Sequence, residues 1–192
     1  MFNETPTVPA RSLPEAHEMR RLHIGGKARS EGWEILDALV RPEVDHVGNA
    51  KDLSRFPDNA FDVVYASHVV EHFDYRDEIP IVLQEWFRVL VPGGAVNVSV
   101  PDLNTLAELF LLRETLTFDD RWMVMRMIFG GHTDEYDYHQ VGLNEEFLSL
   151  YLLRAGFVQI RRVDDFGFFA DTSVMKFAGI PISCNLEARK PQ

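Results

Sequence analysis

Apolar residues along the chain switch repeatedly between a period of two and a period near 3.6, and each switch marks an element. R-L-H-I-G at Arg21–Gly25 is a short apolar run that stops on glycine, and E-I-L-D at Glu34–Asp37 is a second that stops on an acid. Asp45–Gly48 suits a third strand. After the breakers Phe56-Pro57-Asp58-Asn59, the run Phe61–Ala66 is apolar on both alternating faces, as a central parallel strand covered on both sides should be.

The next stretch predicts a helix. Ile79, Val82, Leu83, Trp86, Phe87 and Leu90 form one wide apolar stripe, and Pro80 falls in its first turn, where a missing N–H costs nothing. Pro92-Gly93-Gly94 is read as its stop, followed by an alternating strand over Ala95–Val100. Asp102 is placed to cap a helix running to about Leu111, and a Met-rich helix is expected over Asp119–Phe129, broken by Gly130-Gly131. The polar stretch His132–Gln140 reads as a loop. Asn144 caps a helix ending at Ala155-Gly156, Phe157–Val163 is a strand, and a final strand lies near Ile180–Ala188. Alternating strands and helices predict an α/β fold around a mostly parallel sheet, with the last two strands as an antiparallel pair at one edge.

Composition narrows the possible partners. The chain has 192 residues, 46% of them hydrophobic, which suits one domain with a proper core. That domain is placed at 21–192, behind a polar, Pro-rich flexible arm over 1–20 that lacks the form of a signal peptide. A net charge of −11 argues against nucleic acid or an anionic membrane, since a phosphate-binding face needs clustered Lys and Arg. The single cysteine, Cys184, fits a reducing cytoplasm, and no apolar run approaches the ~18 residues of a membrane span.

In an open parallel sheet, ligands bind outside the carboxyl ends of the strands. Gly25-Gly26, Asp37, Asn49-Ala50, Ser67-His68 and Asp102 all fall at such ends. A glycine there lets backbone approach a ligand without a Cβ in the way, a carboxylate can accept both hydroxyls of a ribose, and an amide can read a purine edge. Each residue alone also reads as an ordinary turn or cap. Their order is what a nucleoside site requires.

The stretch F-P-D-N-A-F-D-V-V-Y-A-S-H-V-V-E-H-F, followed by E-W-F-R-V-L-V-P-G-G-A-V-N-V-S-V-P-D-L, resembles the centre of a class I S-adenosylmethionine-dependent methyltransferase of the type-11 kind. The opening L-H-I-G-G-K and the later G-G-H-T-D-E-Y-D-Y-H are similar to a compact branch of that group. The resemblance implies a Rossmann-like, doubly wound, seven-stranded sheet with an antiparallel edge strand. It further implies S-adenosylmethionine as cofactor, Gly25 and Gly26 in contact with it, Asp37 on its ribose, Asn49 and Ala50 flanking its adenine, and Ser67 and His68 beside its methionine end. The glycine turn departs from the usual motif, because it reads Gly25-Gly26-Lys27 and only Lys27–Trp33 separates the first two strands. A full crossover helix needs about ten residues or more, so the first helix must be shortened or replaced by a loop. A dinucleotide oxidoreductase would want G-x-G-x-x-G opening a helix, which is missing.

The acceptor side is less defined. His139 and His72 are the candidate bases, although His72 reads equally as a hydrogen-bonder shaping its turn. The set His132, Asp134, Asp137 and His139 offers metal-ligand types, but methyl transfer needs none and no metal is expected. Phe166, Phe168 and Phe169, with the Met-rich helix, suit either an apolar lid or ordinary core. The expected function is methylation of a hydroxyl on a small molecule or glycan; the alternative is a non-catalytic interaction domain that keeps the S-adenosylmethionine-binding fold.

Overall fold

The computed structural model describes residues 18–192, so the arm expected over 1–20 lies outside the described residues up to residue 17. Arg20 is tied down: its N–H donates to Asp62 Oδ2 at 2.8 Å and its guanidinium to Glu34.

In chain order the elements are β1 (Arg21–Ile24), β2 (Trp33–Asp37), β3 (His46–Val47), β4 (Phe61–Ser67), a 3-10 turn at Val70–His72, α1 (Glu78–Val89), β5 (Leu90–Pro101), α2 (Leu103–Leu111), α3 (Phe118–Phe129), α4 (Glu145–Arg154), β6 (Val158–Arg162), a 3-10 turn at Thr172–Val174, β7 (Lys176–Phe177), β8 (Ile180–Pro181) and β9 (Ser183–Arg189). Seven strands form one sheet in the order β3-β2-β1-β4-β5-β9-β6. The first five are parallel, and β9 runs antiparallel to both β5 and β6. Strand order reverses between β1 and β4, which places a crevice beyond Ile24 and Ser67.

One sheet face is apolar. Ile79, Val82, Leu83 and Trp86 of α1, with Leu148 and Leu152 of α4, cover Leu22, Ile24, Val64, Ala66, Val96, Val98 and Leu186. Residues of opposite parity present His23, Tyr65, Asn97, Ser99 and Asn185, which are also buried. No helix joins β1 to β2. On the second face Phe169 lies against the His23 ring at 4.2 Å and stacks on Tyr65 at 5.3 Å, while Phe168 meets Trp33 at 5.1 Å. The Phe166–Phe169 aromatics are therefore packing on a face that a first crossover helix does not cover.

Three details differ from the sequence expectation. The stripe of α1 ends at Val89, and Leu90 already has extended backbone. Pro92-Gly93-Gly94 lies inside β5, where the pairing with β4 shifts between Phe61 and Val63. Gly93, at φ +78, donates to Lys190 O, so these residues form a bulge in the strand and the helix stops without them. The final strand is broken as well, because Pro181 has no N–H for a ladder: β8 pairs with β7 in a small hairpin, and β9 starts at Ser183. The antiparallel pair expected at one edge does form, from β9 and β6, with β9 the inner member. β9 pairs along its length with β5 and continues the apolar face through Cys184, Leu186 and Ala188, leaving β6 at the border. Charged, exposed Arg161 and Arg162 suit that edge.

His23 gives the second face a pH dependence. Burial pushes its pKa down to about 4, against the pull of the Asp171 and Asp37 carboxylates. Between the unfolded value near 6.5 and about 4, the unfolded chain binds the extra proton. The stabilisation from a neutral His23 is therefore complete above the unfolded value and is lost as pH falls toward the folded one. The His23→Phe variant, which keeps the ring contacts, should lose about 2–4 kcal/mol less than the natural protein between pH 7 and pH 4. Urea unfolding at both pH values checks this; parallel losses would show that His23 stays solvated.

Candidate functional site

The strand ends open into one cleft of about 800 Å³, within the size range of small-molecule sites. Of the residues expected to hold a cofactor, Gly25, Asp37, Asn49, Ala50, Ser67 and His68 line it. So do both candidate bases, His72 and His139.

Gly25 sits at the end of β1 with φ +76, a backbone that favours glycine, and a Cβ there would lie 2.7 Å from Val69 Cγ2. Gly26 is placed differently from Gly25. It is not among the cleft-lining residues, and a Cβ would meet the His23 ring at 2.8 Å, so it is glycine for packing. Its carbonyl accepts from Arg41 Nη2 at 2.8 Å. The same guanidinium holds Asp37 Oδ2 at 2.9 Å, while Asp37 Oδ1 accepts from Leu39 N. Arg41 thus ties the first strand end to the second, a link the sequence reading missed because an Arg in a loop carries no local signal.

The third strand end is held from below. Trp86 Nε1, from the buried stripe of α1, donates to Ala50 O at 3.0 Å. Asn49 Oδ1 accepts from Lys51 N, which commits the amide oxygen to its turn, and Lys51 Nζ reaches Glu78 at 2.7 Å. At the fourth strand end, Ser67 Oγ meets Asp171 and Thr172, and Tyr65 donates to Asp171 at 2.8 Å. Asp171 and Thr172 line the cleft from a loop more than a hundred positions away, beyond the reach of local pattern.

Four titratable groups crowd the other end. Glu71 is 1% exposed, and neither carboxylate oxygen has a hydrogen-bond partner. Its Oε1 lies 3.7 Å from His68 Nδ1 and 3.9 Å from His139 Nε2. The His72 and His139 rings meet edge to face at 4.9 Å. Burial pushes Glu71 up to about 8, and pushes His68 down to about 3 and His139 to about 4, which keeps these imidazoles neutral at pH 7. Neighbouring carbonyls set the tautomers: His72 Nδ1 donates to Tyr138 O and His139 Nδ1 to Ile128 O, both at 3.2 Å. Each leaves Nε2 with a free lone pair.

The loop His132–Gln140 does not gather the metal-ligand set considered from sequence. Asp137 Oδ2 is taken by Thr133, Asp134 Oδ1 accepts from Tyr136 N, and His132 stacks on Tyr138 at 4.0 Å. Among the described residues, no helix is long and apolar enough to cross a membrane.

Residues 30–98 match the family described as "Methyltransferase domain". No curated protein matches the sequence. Among solved structures, the chain is similar to the CurJ carbon methyltransferase (17% identity, TM-score 0.57, covering 94% of this chain and 50% of that one). It is also similar to a SAM-dependent methyltransferase from Archaeoglobus fulgidus (16%, 0.56, 90% and 86%). A third is the 1,6-didemethyltoxoflavin-N1-methyltransferase of Burkholderia thailandensis, solved with S-adenosylhomocysteine (14%, 0.55, 91% and 72%). The chain spans 50 to 64% of the length of two larger matched structures. At these identities the likeness is one of fold.

Proposed function

We infer that this chain is a class I S-adenosylmethionine-dependent methyltransferase, a reading its fold and the match over residues 30–98 support, and that it methylates a hydroxyl of a small molecule or sugar. One observation carries the reading. A single cleft at the switch point joins the Gly25, Asp37 and Asn49-Ala50 strand ends to a cluster of neutral histidines. A blocked cleft would have favoured an interaction domain; an open one of about 800 Å³ favours an enzyme.

The cradle at Gly25 fits a cofactor that needs close backbone approach, since a side chain there would have no room beside Val69. In this reading Asp37 takes the ribose hydroxyls, Asn49 and Ala50 flank the adenine, and Ser67 and His68 border the methionine end. Gly26 acts through its carbonyl, by anchoring Arg41. Bound there, S-adenosylmethionine would supply a methyl group on a sulfonium that brings its own leaving group. The chain's own tasks are alignment, exclusion of water and removal of the acceptor's proton. His139 Nε2, unprotonated and facing the cleft, suits the last task, with His72 beside it. A cytoplasmic setting accompanies this reading, resting on the lone buried thiol of Cys184.

The test pairs calorimetry with S-adenosylhomocysteine and a mass-spectrometric screen of sugar and polyphenol acceptors for the gain of one methyl group. Micromolar binding with turnover supports the assignment; binding of neither compound overturns it. The Asp37→Asn variant should weaken binding by about 10- to 100-fold, the worth of a charge-assisted hydrogen bond of roughly 1.5–3 kcal/mol. Unchanged affinity would show that Asp37 serves only Arg41.

A further inference from the structure

The hydrogen bonds around Glu71 leave a surplus of acceptors. Ser183 Oγ donates its only proton to Thr172 O at 2.8 Å, so its contact with His68 Nε2 at 2.9 Å takes the proton from the ring. His68 Nδ1 is then a lone pair, aimed at Glu71 Oε1 from 3.7 Å. His139 Nε2 and His72 Nε2 are lone pairs by the same count, because their Nδ1–H groups are spent on carbonyl oxygens. The imidazole lone pairs of His68 and His139 therefore face a buried carboxylate that receives no hydrogen bond at either oxygen, and the His72 ring packs against His139 beside them. A proton on Glu71 could satisfy one of these acceptors and would leave the others facing each other. A cation held by Glu71 would satisfy the His72 and His139 lone pairs together and leave His68 Nδ1 beside it.

We propose that Glu71, His72 and His139 form a binding site for a divalent transition metal of the zinc or iron(II) class, open to the cleft on its acceptor side. The ligand atoms of these residues already lie within 4.8 Å of one another. Metal–ligand bonds of 2.0–2.2 Å place ligand atoms about 3.2–3.6 Å apart, so side-chain shifts of about 1 Å close the site. Two histidines and one carboxylate, with positions left open, are the donor set these metals take. The second shell is also present. Metal-bound histidines commonly donate their other N–H to a carbonyl, as His72 and His139 do to Tyr138 O and Ile128 O. His72 and His139 line the cleft while Glu71 lies behind them, so the open positions face the space assigned to the acceptor. A hydroxyl oxygen there would be positioned and made more acidic, so with the metal bound His139 Nε2 serves as a ligand and the metal, in place of a free His139 base, promotes loss of the acceptor's proton. This site rests on the methyltransferase reading for its purpose but not for its chemistry.

The experiment is a titration of the metal-stripped full chain with cobalt(II), a spectroscopic stand-in for zinc, followed by visible absorption. S-adenosylhomocysteine calorimetry is run on the same samples. The expected result is one equivalent bound with ligand-field bands between about 500 and 650 nm, and at least a 100-fold weakening in the Glu71→Gln and His139→Asn variants. Binding in the His132→Asn variant should be unchanged, since His132 belongs to the loop outside the cluster. If Glu71→Gln fails to fold, His139→Asn decides alone. Cobalt that does not bind, or binds equally to every variant, overturns the site. Retained S-adenosylhomocysteine binding in that case leaves the methyltransferase reading standing, whereas metal bound without it would remove the reading and keep the site.

Discussion

Replacing Gly25 with valine should weaken S-adenosylhomocysteine binding by more than about 100-fold, the equivalent of roughly 2.7 kcal/mol. Two effects combine. A β-branched residue at φ +76 is strained by about 1–3 kcal/mol, and its Cβ would fall 2.7 Å from Val69 Cγ2. Relief requires moving either the β1 end or the Val69 turn, and both border the cleft. Gly32 separates strain from position. It has φ +75 and nothing within 4 Å of its missing Cβ, so Gly32→Val carries the strain without the collision. It should lower thermal stability and leave affinity within about threefold, because Gly32 does not line the cleft. Equal binding by the natural protein and Gly25→Val, read by calorimetry, would mean that the cofactor sits elsewhere.

The second large effect is expected at His139. The His139→Ala variant should lose about 10²- to 10⁴-fold in kcat, the range for a group that handles the acceptor's proton. Its affinity for S-adenosylhomocysteine should change by no more than about twofold, since Gly25, Asp37 and Asn49 remain in place. Single-turnover kinetics with a fixed acceptor separates the two quantities. A loss confined to KM, or one shared with cofactor affinity, would make His139 a packing residue of the loop.

What could be read from the chain follows the range of the interactions involved. The stripe Ile79–Trp86 and the doubly apolar Phe61–Ala66 announce themselves because burial imposes a period on neighbouring residues. The caps Asp102 and Asn144 are legible for the same local reason, and both accept from the first turns of their helices. The short Lys27–Trp33 connection left no room for a helix, and none forms. Tertiary pairing decided what the pattern could not. Pro92-Gly93-Gly94 looks like a stop, yet its backbone is held in β5 by bonds from Gly93 and Gly94 to Lys190 and beyond, at the far end of the chain. The position of β9 between β5 and β6 likewise depends on a partner distant in sequence.

The candidate site divides along the same line. Strand-end residues such as Gly25, Asp37 and Ser67 could be placed because strand ends are local features. Gly26 has a second constraint that local pattern does not show, since only the packed structure reveals that its missing Cβ makes room for His23. Asp171 and Arg41 reach the site from loops without periodicity. The burial of Glu71 was not legible in the sequence, because a glutamate in a turn is normally solvated and cover by the His139 loop is a property of the fold.

The most direct test of the account is a calorimetric titration of the natural protein with S-adenosylhomocysteine. One site per chain with a micromolar dissociation constant, weakened beyond measurement in Gly25→Val and preserved in Gly32→Val, is the predicted result. No heat of binding from the folded natural protein, with either S-adenosylhomocysteine or S-adenosylmethionine, would contradict it.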